Sequence, residues 1–191
     1  MQIIAVCSSK GGTGKTSTAA ALAQAAAYRG RRVLAIDLDP QANLSFTLGA
    51  DTTAAGSDLL LSGTDPGELI QRNASGIDII PASPALAVEK SSTGSARRMQ
   101  TALEPIKNSY DLIIIDTPTT PGNELQFNAL QACSGLLIPL QADAYCVQSL
   151  YQITRTARQI QAASNPKLQI LGFILTQHTG RAQSPDERLF Q

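Results

Sequence analysis

Residues 8 to 17 read SSKGGTGKTS, with three glycines and two lysines. Glycine lets a backbone wrap closely around an anion, so the N–H groups of Gly11, Gly12, Thr13 and Gly14 can converge on phosphate oxygens. Lys15 is then placed to reach β- and γ-phosphates, and the Thr16 hydroxyl to ligate Mg2+. Ser17, in the first helical turn, is placed to donate to an α-phosphate. A glycine-rich turn that merely joined a strand to a helix would not require Gly-Lys-Thr at the helix start. The string also departs from plain GxxxxGK[ST]: Ser9 stands where the first glycine would be, and a second lysine, Lys10, opens KGGTGKT.

Two acidic segments could complete such a site. AIDLDPQAN places Asp37 and Asp39 at the end of an apolar run, where a carboxylate can orient an attacking water or hold water on Mg2+. The same pair could instead cap a helix in QANLSFTL. In LIIIDTP, Asp116 follows four apolar residues; there it would accept from a Mg2+-bound water and from Thr16. His178 is the single histidine, so no imidazole base is evident. Thr176, Gln177 and His178 are read as loop residues, with a role around a base as the alternative.

These residues need strands to hold them. QIIAVC, TSTAAALAQAAAYRG and RRVLAID alternate as strand, helix, strand. The helix is expected from Lys15 to about Tyr28, with Gly30 past its end and Arg29, Arg31 and Arg32 favouring its C-terminus. Further strands are expected near Ile77, Ile113, Leu137 and Leu171. Their unbroken apolar runs suit burial on both faces, which predicts an α/β fold: a mostly parallel sheet with helices on both faces. Asp51 to Pro66 and Glu89 to Ala96, rich in Gly, Ser and Thr, read as loops. The tail GRAQSPDERLFQ reads as polar and mobile.

At 191 residues with 43% hydrophobic and 16% charged residues, residues 1–191 are expected to form one domain with a substantial core. Fifteen basic residues balance fifteen acidic ones, so no global cationic field draws the molecule to nucleic acid or lipid, and any such binding must be local. Cys7, Cys133 and Cys146 lack a CxxC pairing and read as small core hydrophobes in a reducing cytoplasm. IIAVC has no basic leader and is too short for an export signal, and no apolar run is long enough for a membrane span.

KGGTGKT with its extra lysine, DPQAN, and LIIIDTP together resemble the ParA/MinD family of deviant Walker A P-loop ATPases, most closely its small partition ATPases. The resemblance covers most of the chain. It implies ATP and Mg2+ as cofactors, held by Lys10 through Ser17, with Thr16 on the metal and Asp116 and Asp39 acting on it through water. It also implies catalytic roles for Lys10, Lys15 and Asp39: Lys10 reaches the ATP of a partner subunit, and Asp39 positions the nucleophilic water. Asp37 matches a neighbouring aspartate. Thr119 replaces the family's second proline after Asp116, so the loop there is expected to differ.

The implied function is plasmid or chromosome partition by a cytoplasmic homodimer that forms on ATP. It would bind DNA nonspecifically, associate with the nucleoid, answer to a ParB-like centromere-binding activator, and avoid membranes. Positioning a non-DNA cargo, such as a protein complex at a cell pole, is the alternative. The tail is too short and acidic for a MinD-type membrane helix, the cysteines do not suit an iron-protein reductase, and DPQAN does not suit a metabolic ligase. The chain starts at the first strand, without the helix-turn-helix region of larger partition proteins. It is also expected to lack the family's final strand and helices. Candidate DNA contacts are Arg155, Arg158, Lys167, Arg181 and Arg188, the first two sharing a helix face.

Overall fold

A computed structural model describes residues 1–73, 75–88, 97–119 and 123–177. The expectations at His178, Arg181, Arg188, the tail and Glu89 to Ala96 fall outside these residues. Seven strands form one sheet: β1 (Gln2–Val6), β2 (Val33–Asp37), β3 (Gln71–Arg72), β4 (Ile77–Ile80), β5 (Leu112–Asp116), β6 (Gly135–Gln141) and β7 (Gln169–Thr176). Their order is β3-β4-β2-β5-β1-β6-β7. All pairs are parallel except β3 with β4. The predicted α/β, mostly parallel architecture is therefore present.

The helix α1 (Lys15–Tyr28) has the predicted bounds. Ala19, Ala20, Ala23 and Ala26 recur at helical spacing on its buried side, and their small side chains let the helix lie close on Ile4, Val6, Ala35 and Ile114. Gly30, at φ 74, ends it with a left-handed turn. The arginines do not occupy the last helical turn. Arg32 instead pairs with Asp111 across strand ends, at 2.8 Å, and its guanidinium holds that carboxyl well below the usual range. The opposite face is covered by α6 (Glu124–Ala132) and α7 (Cys146–Ala163). Leu125, Ala129, Ile153, Ala157 and Ile160 there join Ile36, Ile115 and Ile138 in the larger core. The three cysteines are free and buried.

The expected loop from Asp51 to Pro66 is instead partly helical, with α3 at Ser57–Ser62, and Pro66 opens α4 (Pro66–Leu69). Six residues are too few to show a helical period. Tertiary contacts fix α3: Leu60 and Leu61 are buried, Ser57 Oγ donates to the Asp37 carbonyl at 2.6 Å, and the Ser57 N–H donates to Pro81 O at 2.8 Å. A Cβ at Gly56 would sit 2.4 Å from Pro81 O, so this junction admits only glycine.

Of the two aspartates foreseen at this edge, Asp37 takes the structural role. Asp37, fully buried, accepts from Ser45 N at 2.9 Å and Ser45 Oγ at 2.8 Å, and from Asp39 N at 3.0 Å. It thereby anchors α2 (Asn43–Thr47). Ser45 Oγ also accepts from Ala82 N at 2.9 Å, joining α2 to the end of β4. Burial pushes the Asp37 pKa up, and these hydrogen bonds oppose the rise. Ser45→Ala leaves a buried carboxylate short of a donor and Ala82 N–H short of an acceptor, so it is expected to cost about 2 kcal/mol of stability in urea unfolding; no change in midpoint would contradict this account of Asp37.

Candidate functional site

The site follows from where three parallel strands stop. Val6, Asp116 and Asp37 are in register across β1, β5 and β2, so one row of backbone places both aspartates beside the loop that leaves β1. Ligands of open parallel sheets sit at such carboxyl ends.

The loop turns twice through left-handed backbone, at Gly12 (φ 75) and Gly14 (φ 81), positions an L side chain would strain. Ser8 Oγ lies 2.7 Å from Thr13 Oγ1 and donates to Lys10 O at 3.0 Å, closing the turn internally. Gly14 is the N-cap of α1 and brings no side-chain cap. The first-turn N–H groups are therefore left to an external acceptor, as at anion-binding helix starts.

Lys15 is buried. Burial lowers its pKa, while Asp116 and Asp39 oppose the fall. Asp116 is also buried; its Oδ1 accepts from Thr117 N at 3.1 Å, whereas Oδ2 is left without a well-formed hydrogen bond. Burial pushes the Asp116 pKa up to about 7, and the neighbouring Thr16 hydroxyl and Lys15 oppose that rise. An orphaned carboxylate oxygen next to a hydroxyl is a hard-oxygen setting that fits a hydrated Mg2+. No group of three or more His, Cys, Asp or Glu residues capable of holding a metal occurs among the described residues. Asp39 is half-buried and accepts from Gln41 N at 3.0 Å. Just beyond it Ala42 takes φ 53, a left-handed conformation that costs a non-glycine residue about 1 to 2 kcal/mol.

Thr119 lies against the loop, its methyl 3.9 Å from where a Gly11 Cβ would stand. Ser17 flanks a groove of about 590 Å3 that runs between α1 and β7, lined also by Gly14, Thr18, Leu22, Ile174 and Gln177.

Two sets of contacts were not legible beforehand. Thr176 and Gln177 act on the loop itself: Thr176 Oγ1 lies 2.8 Å from Thr13 O and 3.0 Å from Leu140 O, and Gln177 Nε2 donates to Gly12 O at 2.9 Å. Lys10 turns to its own chain and forms an ion pair with Asp143, after β6. An acidic residue just past the strand beside β1 was the available signal for Asp143. Arg155 and Arg158 are exposed together on α7. Lys167 is separate from them, in a hollow lined by Met1, Gln131 and Ser134, and so does not extend that patch. No helix among the described residues is long and apolar enough to cross a membrane.

A family described as an AAA domain matches residues 1–170. The sporulation initiation inhibitor protein Soj of Bacillus subtilis is 39% identical over 183 residues, covering 92% of this chain and 72% of that protein. The chromosome partitioning protein ParA of Caulobacter vibrioides is 36% identical, covering 95% and 71%. Among solved structures, cobyrinic acid a,c-diamide synthase from Mycobacterium smegmatis with bound ADP and magnesium superposes at TM-score 0.89 with 32% identity, covering 100% of this chain and 80% of that one. A putative plasmid partition protein from Borrelia burgdorferi bound to AMPPNP gives 0.82 with 26% identity, covering 99% and 80%.

If Thr176 clamps the loop as its geometry indicates, Thr176→Val, which keeps the shape and removes the hydroxyl, should lower unfolding stability by about 1 to 2 kcal/mol. Amide exchange at Thr13 and Gly14 should also accelerate; unchanged exchange there would exclude the clamp.

Proposed function

This chain belongs to the ParA/MinD-type family of partition ATPases, and from that premise we propose that it binds Mg-ATP, dimerises on it, and acts as a nucleotide switch in plasmid or chromosome partition. One observation carries the reading: a double left-handed turn at Gly12 and Gly14 over buried Lys15, with the free Oδ2 of Asp116 beside it.

In this reading Gly11, Gly12, Thr13 and Gly14 wrap the β-phosphate with backbone N–H groups. Lys15 bridges toward the γ-phosphate, and Ser17 donates to the α-phosphate. Base and sugar continue into the groove between α1 and β7. Thr16 and, through water, Asp116 and Asp39 hold Mg2+, which when bound supplies charge neutralisation to the phosphate oxygens. Asp39 orients the attacking water for in-line displacement, and the anchored Asp37–Ser45 pair fixes the backbone from which Asp39 projects. Lys15 and the Lys10 of a second subunit stabilise charge on the transferred phosphoryl.

Two subunits thus close around two nucleotides, and hydrolysis reopens them. Turnover is slow until a centromere-binding partner acts. The protein works in the cytoplasm on the nucleoid, and Arg155 and Arg158 contact DNA phosphates without reading sequence.

Sedimentation with Mg-ATP, with ADP and without nucleotide tests the switch, and dimers are expected with Mg-ATP alone. Lys15→Ala should abolish ATP uptake, and retention of uptake would sink the assignment of the loop. With about two phosphates neutralised per subunit, the dimer's log-log salt slope on nonspecific DNA should be roughly −4. Replacing Arg155 and Arg158 by Ala should flatten it. ATP-dependent dimers indifferent to DNA would move the reading to a switch that positions a protein cargo.

A further inference from the structure

We propose that the groove between α3 and the helix α5 (Arg98–Leu103) binds a small organic anion, an apolar body that carries one carboxylate, phosphate or sulfonate. The groove holds about 540 Å3, within the range of pockets that enclose small ligands. It shares no lining residue with the phosphate loop or with the groove between α1 and β7.

Its floor is apolar and fixed. Leu60 and Leu61 are buried and belong to the larger core together with Met99 and Leu103 of α5. Pro66, also buried, lines the groove beside them. At its start α3 is tied by Ser57 to the carbonyls of Asp37 and Pro81. An occupant therefore meets a wall already in place and loses little to ordering it.

The rim is polar, and its charge is mainly positive. Arg97 and Arg98 line it with Thr64 and Thr101. Asp65 lines it too, but its Oδ1 accepts from Gly67 N at 2.7 Å as the cap of α4. The acidic residues of the flanking turns are committed elsewhere or set apart: Glu104 pairs with Lys107, Asp58 accepts from Ser83 Oγ at 2.7 Å, and Glu68 does not line the groove. Guanidinium groups match carboxylate, phosphate and similar oxyanions in their fork geometry. Two of them above a floor of leucine and proline select a molecule that is apolar at one end and anionic at the other; a metal cation would be repelled.

The probe is 8-anilinonaphthalene-1-sulfonate, which joins an aromatic body to one sulfonate. Added to the full chain, it is expected to shift the amide resonances of Gly63, Thr64, Thr101 and Ala102, and to remain bound when Mg-ATP is supplied. Arg97→Gln combined with Arg98→Gln should weaken its binding about 10-fold, about 3-fold for each screened charge pair. The corresponding double change to Lys, which keeps both charges, should retain most of the affinity. Thr101→Trp adds bulk at an exposed position and should remove the shifts at Gly63 and Thr64 by filling the groove, which keeps the site testable should the arginine variant misfold. Unmoved amides at these four residues, shifts confined to the groove between α1 and β7, displacement of the probe by Mg-ATP, or wild-type affinity in the Gln and Trp variants would overturn the site.

Discussion

A lysine and two carboxylates taken out of water at one edge of a sheet are the constraint on which the rest depends. Lys15, Asp116 and Asp37 are all buried, and burial disfavours the charged form of each. Only mutual attraction and fixed hydrogen-bond donors offset that penalty. Asp37 is fully served by Ser45 and Asp39. Asp116 is not: its Oδ2 has no hydrogen-bond partner, and Thr16 and Lys15 act on the same carboxyl group. The two aspartates sit side by side in the sheet, yet one is committed to structure and the other retains capacity for a ligand.

Parallel pairing makes that neighbourhood possible. Strands β1, β5 and β2 run the same way and stop in the same row, so residues more than a hundred apart in sequence meet without any long side chain reaching across. The loops that follow inherit this alignment: Leu38 N donates to Asp116 O at 3.0 Å, and Thr117 Oγ1 to Val6 O at 2.9 Å. β7 extends the arrangement outward, its end supplying Thr176 and Gln177 to the carbonyls of the phosphate loop. Held by those contacts, the carbonyls of Gly12 and Thr13 are already committed within the chain.

Most of this frame was legible in the sequence, because apolar runs ending in Asp37 or Asp116 and a glycine-rich string opening an alanine-rich helix are local signals. The remainder depends on contacts between distant segments. Serine at position 57 starts a helix only because Asp37 O and Pro81 O wait for it, and glycine at 56 is required only because Pro81 O lies so near. A string such as SDLLLS contains none of that information. Thr176 read as a loop residue for the same reason, since nothing around it in sequence names Thr13 as its partner. Lys167 was grouped with Arg155 and Arg158 by nearness in sequence, but the chain leaves α7 between them and carries the lysine into a different hollow.

Nucleotide can shift association only by interacting differently with the two states. A loop whose contacts lay wholly within one subunit would bind phosphate equally well in monomer and dimer, and no switch would result. Lys15 has that character, being buried within its own subunit. Lys10 does not, since its backbone is held by Ser8 and Thr13 while its side chain is about a third exposed and pairs with Asp143, between β6 and α7. In the proposed dimer, a cation on a fixed anchor with a movable end would make a phosphate worth more to two chains than to one.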